Sequence, residues 1–365
     1  PTPGPAGAPL DGGGPDPSPE PGGPGGATGA ADAGGNGEGS GEGNGGRDGA
    51  PGFDGGASDG SAANGNTPDA AEGGDPDAGP DAAGPTSRYQ IGDEFGKTPM
   101  TPELLEGEGP AVQRAARAAV SIGGGTGFYL GRFEGQHLFG TNHHVLSSTT
   151  RCDQPRRVRF PLLSVEASCT RVLGSWSDVD LAIFVGTFAS PSDEAKAAAV
   201  AASFAFTHPM AEDTPLVTVG FGGERNRERR PMANRDADCR ILSRTGELRF
   251  LADPDTGNPG PYKTWSFAVG CDVSHGDSGS AIVDRRTGEV VGLIWTAKFP
   301  TSLAVRTSAG VRALQSGDGE GVWSEVAYAA PAAKIGEQLA AAAADPRVPE
   351  DARALLGALR AGPRP

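Results

Sequence analysis

Gly276-Asp277-Ser278-Gly279-Ser280-Ala281-Ile282-Val283-Asp284 reads as a tight turn that runs straight into a short apolar strand. Glycine on both sides of a serine permits a sharp turn and lets another backbone approach closely. Gly, Asp and Ser also favour ordinary turns, so residues 276–280 are equally what a plain connection between two strands would contain. A serine on such a turn has a second use. Acyl transfer needs a nucleophile beside backbone N–H groups that converge on a developing oxyanion.

The same alternation of short apolar run and turn extends outward from this stretch. GTGFYLG (125–131), HLFGTNHHVL (137–146), RVRFPLL (157–163), DLAIFVG (180–186), PLVTVGFG (215–222), TWSFAVG (264–270), SAIVD (280–284) and VVGLIWT (290–296) are all bounded by Gly, Pro or Asp. Segments this short, without helical patterns between them, predict antiparallel barrels in an all-β fold rather than βαβ units. A short helix is expected within 101–119, with Val112, Ala115, Ala116 and Ala119 on one face. Helical signals return at the end of the chain. Pro331 is placed to open a helix carrying Ile335 and Leu339, and a second one, PEDARALLGALR, follows Asp345-Pro346 and is expected to pack on the second barrel.

Ahead of all this lies a different kind of sequence. Residues 1–85 hold 28 of the 59 glycines and 14 acidic residues against Arg47 alone. With Leu10 and Phe53 as almost the only large apolar side chains, the stretch cannot offset its ordering entropy and is expected to be disordered. It lacks a regular calcium-binding repeat and reads as a spacer. The chain's net charge is −15, and most of it sits in this stretch. Such acidity excludes nucleic acid as a partner and docking on an anionic membrane. The expected organisation is an acidic linker (1–88), a lead-in with a short helix (89–119), a catalytic unit (120–344) and a helical extension (345–365).

No apolar run is long enough for a transmembrane helix. The absence of an initiator Met and of a leader is read as a processed, exported chain. Cys152, Cys169, Cys239 and Cys271 form no CxxC pair and have no zinc-like spacing, so neither metal nor cofactor is called for. Of three pairings, the sequential one, Cys152–Cys169 with Cys239–Cys271, closes one loop in each half of the β-rich region. Disulfides point to an extracytoplasmic compartment.

Two further motifs bear on the serine. Thr141-Asn142-His143-His144-Val145-Leu146 offers two adjacent histidines, of which only one can face a cleft, because neighbours in extended chain point opposite ways. Ser177-Asp178-Val179-Asp180-Leu181 offers two aspartates. Asp180 opens an apolar run, where a buried carboxylate could hold an imidazole in one tautomer, and Asp178 reads as a turn residue.

In the order His, Asp, Ser, spaced 36 and 98 positions apart, these motifs resemble the chymotrypsin/trypsin-like serine proteases, especially secreted bacterial members. GTGF (125–128), VVGLIW (290–295) and Tyr328–Ile335 resemble the family's early strand, its substrate-lining strand, and its final strand with closing helix. The resemblance spans roughly residues 112–344. It implies two six-stranded antiparallel barrels with C-terminal helices, and a serine endopeptidase, monomeric by preference, acting on protein or peptide substrates. It picks His144 as general base, Asp180 as its orienting acid and Ser278 as nucleophile, with the Gly276 and Ser278 N–H groups as oxyanion hole. Asp272, six residues before Ser278, falls where trypsin-like members place a pocket-base aspartate, and His275 and Trp295 are expected to line the cleft. The alternative is an inactive protease-like binding module.

The chain also departs from the family. No animal-type activation site precedes the first strand, since Ile122-Gly123-Gly124 lies only 22 residues before His144. Asp277 is therefore expected to bond local backbone N–H groups, and the fold to be competent without cleavage near Ile122.

Overall fold

Apolar alternation and glycine turns become antiparallel strands in a computed structural model that describes residues 87–146, 152, 156–224, 226–254, 260–298 and 300–362. The acidic stretch expected to be disordered, 1–85, lies outside the described residues.

A lead-in carries β1 (Lys97–Pro99), α1 (Pro102–Glu106) and α2 (Pro110–Arg117). The single helix expected over 101–119 is thus two, because Gly107 caps the first and Gly109 the second. Thr101 caps α1 by accepting the Leu104 N–H, and a proline starts each helix, where its missing N–H costs nothing.

Six strands then close a barrel in the order β2-β3-β4-β7-β6-β5. They are β2 (Ala119–Ile122), β3 (Gly125–Phe133), β4 (Gln136–Thr141), β5 (Arg156–Phe160), β6 (Val165–Trp176) and β7 (Leu181–Phe188). β5 shows how the pattern works: Val158 and Phe160 are buried, while Arg157 and Arg159, which alternate with them, are exposed. Inside, Phe139 stacks on Phe184 with ring centroids 5.1 Å apart, and Tyr129 lies 5.2 Å from Phe139.

After α3 (Pro191–Ala198) the chain builds β8 (Leu216–Gly220), β9 (Met232–Asn234), β10 (Arg249–Ala252), β11 (Lys263–Val269), β12 (Ala281–Asp284) and β13 (Val290–Ala297). Then come α4 (Ser308–Ser316), α5 (Val322–Glu325), β14 (Ala327–Pro331), α6 (Ala332–Ala344) and α7 (Glu350–Ala361). These strands and β1 form one eight-stranded sheet, ordered β1-β9-β8-β12-β13-β14-β11-β10. Where a second closed six-stranded barrel was expected, the ladders leave an open sheet. Residues 240 and 241 touch it only by single bridges, Pro215–Arg240 and Ile241–Val269. The 239–242 segment is too short to make a full ladder with both neighbours.

The cysteines pair sequentially, Cys152–Cys169 and Cys239–Cys271. Among the described residues no helix is long and apolar enough to cross a membrane. α7 packs on α6 and reaches β3 of the closed barrel, with Leu355, Leu356 and Leu359 joining the core cluster that holds the barrel's interior.

Candidate active site

The turn quoted at the outset lies between the two halves and is held by both. Gly276 and Gly279 adopt φ of +101° and +88°, the left-handed region that favours glycine. A Cβ on Gly279 would run into the Thr126 carbonyl. From β3, Thr126 N–H donates to the Ser278 carbonyl (2.8 Å) and Thr126 Oγ1 to the Gly276 carbonyl (2.8 Å). That hydroxyl also accepts from Phe221 N–H (3.0 Å), so one buried threonine ties the Ser278 turn to both sheets. Sequence reading did not single out Thr126, although it sits in the GTGF motif.

Orientation of the turn's peptides follows from their carbonyls. In a trans peptide C=O and N–H point opposite ways. The His275 carbonyl accepts from Gly223 N–H (2.9 Å) and the Asp277 carbonyl from Ser280 N–H (2.8 Å). The N–H groups of Gly276 and Ser278 are thereby turned away from these partners, and neither donates to a protein acceptor among the described residues. Both residues line a cleft of about 550 Å³ that His144, Tyr262, His275 and Trp295 also line.

His144 follows the end of β4, and Asp180 directly precedes β7, the strand paired with β4. Asp180 is fully buried at a left-handed φ of +39°. Its Oδ2 lies 2.8 Å from His144 Nδ1. Its Oδ1 accepts from His144 N–H (3.1 Å) and from the Tyr262 hydroxyl (3.0 Å). Asn142 Nδ2 donates to the Asp180 carbonyl (2.8 Å). Burial would push the His144 imidazole down, but the hydrogen bond and charge of Asp180, with some help from Asp253, outweigh it and leave the group above its ordinary value. Tyr262 is pushed up by burial and by the Asp180 charge, so it stays a donor. No motif in the sequence marked it.

His143 and Asp178 are placed elsewhere. His143 Nδ1 meets Ser175 Oγ at 2.7 Å, its ring stands edge-on to Tyr262, and burial holds it below the usual histidine range. Asp178 lies in the turn before β7, its carbonyl accepting from Trp265 N–H. Ser278 and His144 share the cleft, and among the described residues no hydrogen bond joins them.

Asp272 departs from expectation. It is fully buried and is not among the residues lining the cleft. Its Oδ1 accepts from Ile91 N–H and its Oδ2 from Gly96 N–H, both at 2.6 Å. Burial and the nearby Asp236 charge push this carboxyl well above its usual range. A lead-in loop folds over its carboxylate. Trp295 is buried on the cleft wall, its indole N–H donating to Ser266 Oγ (3.0 Å), and His275 is exposed at the cleft. Ile122 is buried in β2, paired with Gly125 and Val158.

Asp277 bonds one local N–H group, Ser274 (2.8 Å) on Oδ2, and a distant one, Gly222 (2.9 Å) on Oδ1, and it also has a partner absent from the expectation. Lys97 of β1 forms a buried ion pair with its Oδ2.

Residues 125–293 match the family model described as a trypsin-like peptidase domain. No curated protein matches the chain. Among solved structures, the chain is similar to the inactive form of the Rv3671c protease of M. tuberculosis, with 23% identity, a TM-score of 0.41, and 67% of this chain and 96% of that one covered. For the active form the figures are 23%, 0.40, 67% and 87%. For a serine endoprotease of Yersinia pestis they are 17%, 0.37, 62% and 63%.

Proposed function

Residues 125–293 match a trypsin-like peptidase domain, and from that premise we propose that the chain is a serine endopeptidase acting through an acyl-enzyme. The observation that carries the reading is the Asp180–His144 pair facing the same cleft as Ser278. With Nδ1–H donated to Asp180, His144 keeps the lone pair on Nε2 for the cleft. Nε2 takes the Ser278 proton as Oγ attacks the scissile carbonyl, and the new oxyanion accepts from the Gly276 and Ser278 N–H groups. The imidazolium then gives its proton to the leaving amine as the C–N bond breaks. Water repeats the sequence on the ester and frees the acid.

In this reading residues 120–344 are the catalytic unit, preceded by the 89–119 lead-in and followed by the 345–365 extension. The open sheet serves as the second barrel, with residues 240–241 bridging its gap. Two disulfides support an extracytoplasmic location.

A rival reading, an inactive binding module, draws on the missing Ser278–His144 hydrogen bond. Such bonds are often long in unliganded proteases and tighten on substrate. A fluorophosphonate separates the two. Covalent labelling of Ser278, with peptide hydrolysis lost about 10⁶-fold in Ser278→Ala, is expected of the enzyme. A wild-type protein that neither labels nor cleaves would leave only the binding module.

A further inference from the structure

The loop from Asp272 to Ser278 is held at two points by the segment that precedes the closed barrel. At its start, Asp272 takes the Ile91 and Gly96 N–H groups, and Asp272 N–H donates to Asn234 Oδ1 (3.1 Å). At its end, Asp277 takes Lys97. The first contact comes from the turn just ahead of β1 and the second from β1 itself, which lies antiparallel on β9 with Lys97 opposite Asn234.

The Lys97–Asp277 pair is almost wholly out of solvent, at 6% and 2% exposure. A carboxylate so buried needs a cation, and losing either partner strands a charge. The surrounding backbone is shaped to admit the pair. Gly222 has no Cβ where one would run into Asp277, Ser274 and Lys97, and Gly220 has none where one would meet Asp277 and Ser280. With Gly222 N–H on one oxygen and Ser274 N–H and Lys97 on the other, the side chain of Asp277 is fixed. Its backbone lies between the two N–H groups that face the cleft, so fixing Asp277 sets the direction of both.

We propose that Lys97 is a positioning residue for the oxyanion hole, and that the lead-in 87–100 is a built-in activator of the nucleophile loop. The ammonium is supplied from within the chain, so no new amino terminus is required, in keeping with the burial of Ile122 inside β2. The inference rests on the reading of Ser278 as nucleophile.

The test compares Lys97→Met, Lys97→Arg, Asp277→Asn and the Lys97→Met/Asp277→Asn double variant in the full chain. Active protein is counted by fluorophosphonate titration carried to completion. Lys97→Met is expected to lower kcat per titrated site about 10²–10³-fold, the scale of losing one oxyanion donor, with KM little changed. Affinity for a peptide boronate should fall in parallel with kcat/KM, while affinity for a product peptide holds. Lys97→Arg should recover most of the loss, and the two single losses should not add in the double variant. A purely structural lysine would reduce the titrated fraction and leave turnover per site intact, and that result overturns the proposal. Should Lys97→Met not fold, Lys97→Gln is read for the same split. A wild-type protein that never labels would overturn the Ser278 reading, and this inference with it.

Discussion

His143 and His144 are adjacent, yet the fold moves them in opposite electrostatic directions. Burial leaves His143 below the usual imidazole range, and Asp180 lifts His144 above it. A general base works when neutral, so kcat/KM should fall as pH drops through the His144 pKa. That limb is expected above the ordinary value of about 6.5. In Asp180→Asn the carboxylate that lifts the imidazole is gone and burial dominates. The limb should move to lower pH while turnover drops about 10⁴-fold. A pH–rate profile of both proteins checks this, and a limb that stays in place would rule out Asp180 as the cause. Tyr262 donates to the Asp180 oxygen that His144 N–H also holds. Tyr262→Phe should therefore cost only about tenfold in kcat/KM, with the fold intact.

At the level of elements, all eight strands read from short apolar runs are present, because each pairs apolar residues with a turn signal at its end. β6 was missed. Its pairing with β7 slips between Cys169 and Arg171 and again between Val172 and Gly174, so the alternation of Val165–Cys169 does not continue through its 12 residues. α3, α4 and α5 were also missed, since they are short and their residues carry no long apolar period. β1 and β9 have three residues each, too few for any pattern, and their importance comes from what they touch. The loop after β8 gives a direct check. Gly222→Ala should push Asp277 from Lys97, lowering stability by about 1–3 kcal/mol and reducing turnover beyond what the lost stability explains. Thermal melts and kinetics on the same samples would show it. In α7, Leu356 is fully buried against α6 and the barrel core. Leu356→Ala should cost about 2–5 kcal/mol in a denaturant titration while leaving kcat per titrated site unchanged.

Across the whole molecule, one disulfide belongs to each half, and they close loops of different length, 17 and 32 residues apart. On the chain-entropy account each contributes about 3–4 kcal/mol, with Cys239–Cys271 worth roughly half a kcal/mol more. Paired Cys→Ala variants should unfold in that order of denaturant midpoints. Several assignments could be read along the chain. The β character, the glycine-flanked Ser278 turn and the sequential cysteine pairs depend on local turn chemistry, apolar runs and order, which are properties of neighbours in sequence, whereas Asp180 is picked by the family resemblance. Other features required the folded chain. Tyr262 reaches Asp180 across 82 residues, Thr126 reaches the Gly276 carbonyl across 150, and Lys97 reaches Asp277 across 180. A lone Lys, Thr or Tyr carries no local signature, since its role is set by what the packing brings within about 3 Å. The same packing removed Asp272 from the cleft. Its position relative to Ser278 is a matter of sequence, but a lead-in loop folded over it decides what its carboxylate meets.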